Sequence, residues 1–242
     1  MKNLGIIGAD GRMGRAVEAL ADGRYAVTAR ITLDHPAYQT LAECDAVIDF
    51  SAGPALVQSL PHLRDGVPLV SGTTGLSDTE EAAITVASQR LPILRSGNFS
   101  LGIAVLSQLA EQTAGLLGAG WDVEILEMHH RHKVDAPSGT ALMLGEAVAK
   151  GRDVSLFGKA ASDKASYERG GKREEGEIGF AVLRGGGVYG MHEVRIVSES
   201  EMITLGHQAL NRDVFADGAL AAADWLSGQT PGLYSMRDLI KT

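Results

Sequence analysis

His129, His130, Arg131, His132 and Lys133 place three imidazoles and two permanent cations in five consecutive positions, and Asp-Ala-Pro-Ser-Gly-Thr follows at 135–140. Three chemistries are open to such a strip. On a strand, alternate side chains share a face, so His130 and His132 would point together and could hold a metal, with Glu127 or Asp135 as third ligand. Against a metal stand Arg131 and Lys133, which repel a cation, and the lack of an open-site pattern such as His-Glu-x-x-His. A solvated basic run is the second possibility. The third is an acid site for an anionic ligand. Arginine and lysine hold carboxylates by charge-assisted hydrogen bonds, and a histidine near neutrality can deliver a proton. A helix capped by Ser138 would offer the first-turn N–H groups of Gly139 and Thr140 to a carboxylate.

A second constellation lies at the start. "GIIGADGRMG" puts Gly8, Gly11 and Gly14 where an apolar run gives way to helical spacing. Small residues let a pyrophosphate approach the backbone there, and the helix N-terminus supplies N–H groups and partial positive charge. The spacing is G-x-x-G-x-x-G, with Asp10 inside it. Asp34, 20 residues beyond Gly14, is the candidate for holding an adenosine ribose, although "LDHP" also reads as a turn. "SGTTG" at 71–75 and "SGNFS" at 96–100 follow further apolar runs, where a nicotinamide and its ribose would rest.

The elements that must carry these groups follow from periodicity. Short runs rich in Val, Ile and Leu predict strands at 3–8, 26–32, 45–50, 68–71 and 93–96. Helices are expected between them at 12–21, 38–43, 54–63 and 78–90, with Ser77 or Asp78 as a cap and Pro54 in a first turn. This alternation predicts an α/β fold whose first part is a doubly wound parallel sheet of Rossmann type. The pattern then changes. A long apolar helix at 101–117, the strand-like "WDVEILEMHH" and a helix at 138–149 come next. A Gly-, Lys-, Glu- and Ser-rich loop is expected at 157–176. "IGFAVLRGG", "GMHEVRIVSES" and "EMITLGHQAL" read as antiparallel strands joined by tight turns, which makes this part α+β. Phe215, Ala219, Ala222 and Leu226 keep helical spacing up to Gly228.

Composition narrows the partners. The net charge of −8 disfavours nucleic acid. No apolar run is long enough for a membrane span, and the N-terminus reads as a strand and glycine turn, so a cytoplasmic protein is expected. Cys44 is the single cysteine, which leaves no intramolecular disulfide and suits a core filler in a reducing compartment. No internal repeat is visible among the 242 residues.

"EMHHRHKVDAPSGTA" closely resembles the signature of the 4-hydroxy-tetrahydrodipicolinate (dihydrodipicolinate) reductases of lysine and diaminopimelate biosynthesis. "GADGRMG", "VIDFS", "SGTTG", "GNFS" and "WLSGQTPGLYSMRDLI" resemble that family in the same order, so the resemblance spans nearly the whole chain. It implies a dinucleotide-binding domain over 1–100 and 213–242, and an inserted α+β domain over 101–212 that binds substrate and builds a homotetramer. It implies NADH or NADPH as cofactor and a cyclic-imine dicarboxylate as substrate, and no metal is expected beside Arg131 and Lys133. His129 would be the proton donor and Lys133 a second acid that also steadies the substrate. His130, Gly139 and Thr140 would bind the substrate carboxylates. Gly8, Ala9, Asp10, Gly11, Arg12, Met13, Gly72, Thr73, Thr74, Ser96, Gly97, Asn98 and Phe99 would line the cofactor. One departure stands out: about a dozen residues separate the second predicted strand from "DAVIDF", fewer than in many members. That reshapes the adenosine end and makes Thr32 a rival to Asp34.

Overall fold

Apolar runs of the first hundred residues form strands covered on both faces, the setting in which Val, Ile and Leu need not alternate with polar residues. The computed structural model, which describes residues 1–156, 172–173 and 176–240, opens with β1 (Lys2–Ile7), α1 (Arg12–Ala21) and β2 (Tyr25–Ile31). A 3₁₀ turn at Tyr38–Glu43 leads into β3 (Ala46–Asp49), all four residues of which are buried. Next come α2 (Gly53–Ser59), β4 (Leu69–Ser71), α3 (Asp78–Ala87) and β5 (Pro92–Arg95). Two helices end earlier than periodicity predicts. α2 stops at Ser59 and tightens into a 3₁₀ turn at Leu60–His62, because Pro61 has no N–H for the carbonyl four residues back. α3 starts on a capping box between Ser77 and Glu80. It closes at Ala87, after which Gln89 and Arg90 bond to carbonyls three residues back.

α4 (Leu101–Leu117), β6 (Asp122–His129), α5 (Gly139–Gly151), β7 (Ile178–Arg184), β8 (Gly190–Val197) and β9 (Met202–Ala209) follow. Their sheet has the order β7-β6-β8-β9. β8 pairs antiparallel with both β6 and β9. β7 departs from the expected meander: it lies on the far side of β6 and pairs with it in parallel. The glycine-rich 185–189 segment passes the end of β6, where Gly185 N–H donates to the His129 carbonyl at 3.0 Å, so β7 and β8 flank β6 instead of forming a hairpin. From β7, Ile178 and Phe180 join the core that α4 and α5 build on one face of the sheet with Leu106, Leu144, Val148, Val123, Ile125, Val194 and Ile196. Most of the predicted 157–176 loop lies outside the described residues.

The chain closes with α6 (Asp213–Leu226), β10 (Gly232–Tyr234) and α7 (Met236–Ile240). β10 was not expected from periodicity. Its three residues pair in parallel with β5 and complete a six-stranded parallel sheet of order β10-β5-β4-β3-β1-β2. The fold is thus a Rossmann-like parallel sheet plus a mixed, mostly antiparallel one. The chain divides into two units, Met1–Leu101 with Arg212–Thr242, and Gly102–Asn211. Cys44 is buried and unpaired in the first. Among the described residues, no helix is long and apolar enough to cross a membrane.

Candidate active site

In the first unit every strand is parallel, so the segments after β1, β2, β3, β4 and β5 meet at one edge of the sheet. Gly8 has a φ of +78°, and a Cβ there would come 2.4 Å from the Phe50 carbonyl oxygen. A Cβ on Gly14 would lie 2.2 Å from the Gly8 carbonyl oxygen, so the turn and the first helical residues pack backbone to backbone. Gly11 is the N-cap of α1, and no side chain caps that helix. Beside the turn lies a cavity of about 420 Å³ whose wall includes Gly8, Asp10, Gly11, Thr32, Leu33 and Tyr38. Thr32 lines it, whereas Asp34 is exposed and does not. Ala9 is buried, Met13 half-buried and Arg12 exposed.

A buried carboxylate that sequence reasoning passed over organises the neighbouring loops. Asp49, at the end of β3, accepts hydrogen bonds from Ser71 Oγ at 2.7 Å, Thr73 Oγ1 at 2.7 Å, the Ser51 N–H at 3.1 Å and the Ser51 hydroxyl. Burial pushes its pKa up, and the bonds from Ser51, Thr73 and Ser71 oppose that. Thr73 therefore turns its hydroxyl to Asp49, and an added Cβ on Gly72 would come 2.2 Å from a Phe50 ring carbon. Phe50 meets Phe99 edge-on, 5.4 Å between centroids. Ser96 Oγ donates to the Asn98 carbonyl at 2.6 Å, and the Asn98 side-chain oxygen accepts the Ser100 N–H at 2.8 Å. An added Cβ on Gly97 would meet a Thr74 methyl at 3.8 Å, an ordinary contact.

The second unit carries the histidine strip. β6 ends at His129, so the strand-face argument for His130–Lys133 fails. The chain turns instead, with the Lys133 N–H donating to the His130 carbonyl at 3.1 Å. His129 and Lys133 consequently do not share a strand face. His130 and His132 rings stand 6.2 Å apart, and Lys133 Nζ pairs with Asp135 at 2.9 Å. Ser138 caps α5 by accepting the Ala141 N–H at 3.1 Å, with Gly139 exposed and Thr140 half-buried in the first turn.

Behind the strip the apolar rows of the sheet turn polar. Val123, Ile125, Glu127 and His129 form one buried row on β6; Ile196, Val194, His192 and Gly190 form the other on β8. Glu127, fully buried, lies 2.5 Å from His129 Nδ1 through Oε2 and accepts the Ser138 N–H at 3.0 Å through Oε1. The Arg184 fork grips both its oxygens at 2.8 Å. Burial alone would raise the Glu127 pKa, but the bonds from His129 and Arg184 outweigh it and bring it down to about 2. Motif spacing reaches Glu127 only as a possible metal ligand and does not reach Arg184 or His192. The period-two rows V-x-I-x-E-x-H and G-x-H-x-V-x-I were the available signal. Among the described residues no cluster of three or more His, Cys, Asp or Glu is placed to hold a metal.

A glycine-lined turn on a six-stranded parallel sheet, and a buried acid–histidine pair on a second sheet, mark an α/β protein of two units. Comparison with known proteins narrows the class. The family models "Dihydrodipicolinate reductase, N-terminus" and "Dihydrodipicolinate reductase, C-terminus" match residues 2–99 and 102–240. The chain belongs to the dihydrodipicolinate reductase family. It is 45% identical to the 4-hydroxy-tetrahydrodipicolinate reductase of Caulobacter vibrioides, covering 98% of this chain and 96% of the relative. It is 48% identical to that of Sinorhizobium medicae over 84% of this chain and 74% of the relative. A dipicolinate-bound dihydrodipicolinate reductase from Paenisporosarcina sp. TG-14 shares the fold, with a TM-score of 0.75, 20% identity and 97% of both chains covered.

Proposed function

We propose that this chain reduces 4-hydroxy-tetrahydrodipicolinate to tetrahydrodipicolinate in lysine and diaminopimelate biosynthesis: the 4-hydroxyl leaves as water, hydride adds at C4 of the resulting conjugated cyclic imine, and a proton comes from His129. The observation that carries the reading is 45% identity, across 98% of the chain, to a curated reductase of that name. A bound nicotinamide nucleotide, NADH or NADPH, supplies the hydride. Residues 8–13, 72–74 and 96–99 would hold it. The Gly8–Gly14 turn fits a dinucleotide, since Gly8 and Gly14 leave no room for a side chain, no side chain caps α1, and a cavity lined by Gly8 and Gly11 adjoins both.

The other roles rest on the second unit's own residues. His130 and the first-turn residues Gly139 and Thr140 bind the substrate carboxylates, which fixes the ring in one orientation. Lys133 steadies the dianion and acts as a second acid, while His129 protonates the reduced ring; acid help of this kind is worth about 10²- to 10⁴-fold. The unit over Met1–Leu101 and Arg212–Thr242 is assigned to the dinucleotide, and Gly102–Asn211 to substrate and assembly. The assembly proposed is a cytoplasmic homotetramer built through the four-stranded sheets, whose edge strand β9 exposes alternate residues; light scattering of the purified protein checks its mass.

Steady-state kinetics with NADH and with NADPH, on enzymatically generated substrate and followed by absorbance, test the reaction and the cofactor together. Turnover with either nucleotide supports the reading. Nucleotide binding without turnover would leave a nucleotide-sensing module instead.

A further inference from the structure

We propose that Glu127, clamped by Arg184, is a positioning residue that fixes the tautomer and ring orientation of His129, leaving Nε2 as the atom that gives up the proton. The inference rests on the reading of His129 as proton donor and deepens it. An ionised carboxylate can only accept, so the 2.5 Å contact with Glu127 Oε2 requires the proton on Nδ1. A neutral His129 is then bare at Nε2 and ready to be recharged; a cationic one carries its transferable proton there.

The carboxylate is held too firmly for any other role. Oε1 takes the Ser138 N–H at 3.0 Å and one Arg184 nitrogen at 2.8 Å, while Oε2 takes His129 and the other Arg184 nitrogen at 2.8 Å. Two donors on each oxygen leave little acceptor capacity for substrate or metal. Arg184 is anchored in turn, donating to the Asp135 carbonyl at 2.6 Å and to the Leu183 carbonyl at 2.7 Å. Its permanent charge keeps Glu127 anionic, so the shared proton stays with the imidazole.

Every strand flanking His129 contributes to this arrangement. From β7 comes Arg184, directly opposite His129 in the parallel ladder. From β8 comes His192, whose ring meets that of His129 at 5.0 Å and 74°, and whose Nε2 lies 3.1 Å from Ser138 Oγ. Burial and the neighbouring His129 push the His192 pKa down to about 3, so it adds no second cation beside the donor. Gly190, also on β8, keeps room beside the working nitrogen: a Cβ there would sit 3.1 Å from His129 Nε2.

The wild-type protein tests the tautomer without any variant. Nitrogen-15 NMR of labelled histidine, with His129 assigned by its absence in His129→Ala, is expected to show a hydrogen-bonded proton on Nδ1 and a bare Nε2 in the neutral ring. A proton on Nε2 with bare Nδ1 would overturn the proposal. Kinetics test the consequence. Glu127→Gln lets Arg184 hold the amide oxygen and turns an N–H toward Nδ1, so kcat should fall on the order of 10²- to 10⁴-fold with both KM values little changed. The Glu127→Gln/His129→Ala double variant should be no slower than His129→Ala alone. Arg184→Lys, which keeps the charge and loses the fork, should fall between wild type and Glu127→Gln. Wild-type kcat in Glu127→Gln beside a slow His129→Ala, or fully multiplicative losses in the double variant, would sink the positioning role and leave His129 as donor. Full turnover in His129→Ala would remove the donor reading itself. A Glu127→Gln protein that fails to fold leaves the tautomer measurement and Arg184→Lys to decide.

Discussion

Glu127 and His192 stand opposite each other in the β6–β8 ladder and converge on Ser138, the carboxylate taking its N–H at 3.0 Å and the imidazole meeting its hydroxyl at 3.1 Å. The cap of α5 is thus held by both central strands of the sheet. Burial lowers the His192 pKa from 6.5 to about 3, with His129, His207 and Lys133 adding to the effect and Glu127 opposing it. The unfolded chain therefore takes up a proton near pH 6.5 that the folded protein refuses until about pH 3. Stability from this residue is complete above pH 6.5 and erodes as pH falls, by at most about 1.4 kcal/mol per unit. The Glu127 contribution is lost lower down, from 4.5 toward about 2. Urea melts at pH 7.5 and 5 should show a smaller pH dependence in His192→Asn than in wild type; equal dependence would refute this.

His129→Ala and Lys133→Ala should each lower kcat by about 10²- to 10⁴-fold while nucleotide affinity stays near wild type. Stopped-flow turnover and fluorescence titration of NADH separate the two quantities. A variant with normal turnover would take its residue out of the mechanism.

Gly14→Ala forces a methyl to within 2.2 Å of the Gly8 carbonyl oxygen, a backbone atom that cannot swing away. The β1–α1 turn must shift, at a cost of about 1–3 kcal/mol. Thermal melts should show the loss, and NADH binding should weaken further than substrate binding.

Thr32 lines the cavity beside the glycine turn and Asp34 does not. Asp34→Ala should leave KM for NADH and NADPH within about twofold, as for an exposed side chain. Thr32→Phe, which fills the cavity, should raise both by about tenfold or more, equivalent to about 1.4 kcal/mol. The opposite ranking would return the ribose to Asp34.

Gly190→Ala brings a methyl to 3.1 Å from His129 Nε2, so the ring must yield by a few tenths of an ångström. Displacing a reacting group costs rate before it costs binding, and kcat should fall roughly tenfold. An unchanged kcat would show that this side of the ring is idle.

Local structure was legible where one stretch of chain decides it. α1 at Arg12–Ala21, α4 at Leu101–Leu117 and the Ser138 cap need only nearby residues, and each lies where spacing and cap chemistry put it. Strand partnership was less legible. β7 pairs in parallel with β6 because the glycine-rich 185–189 segment passes the end of β6, which turn residues alone cannot reveal. β10 is three residues long, too short for any period to register, and exists because β5 offers it an open edge.

For the site, residue types and order were enough to single out the acidic, cationic and glycine-rich segments and the family they resemble, because those features lie within continuous motifs. Which atoms meet was settled by folding. Arg184 is 57 positions from Glu127, and His192 is 54 from Ser138, yet strand pairing brings each within hydrogen-bond distance of its partner. A buried carboxylate is tolerable only when donors from several elements converge on it. That convergence on Glu127 is a property of the packed sheet, and no single segment contains it.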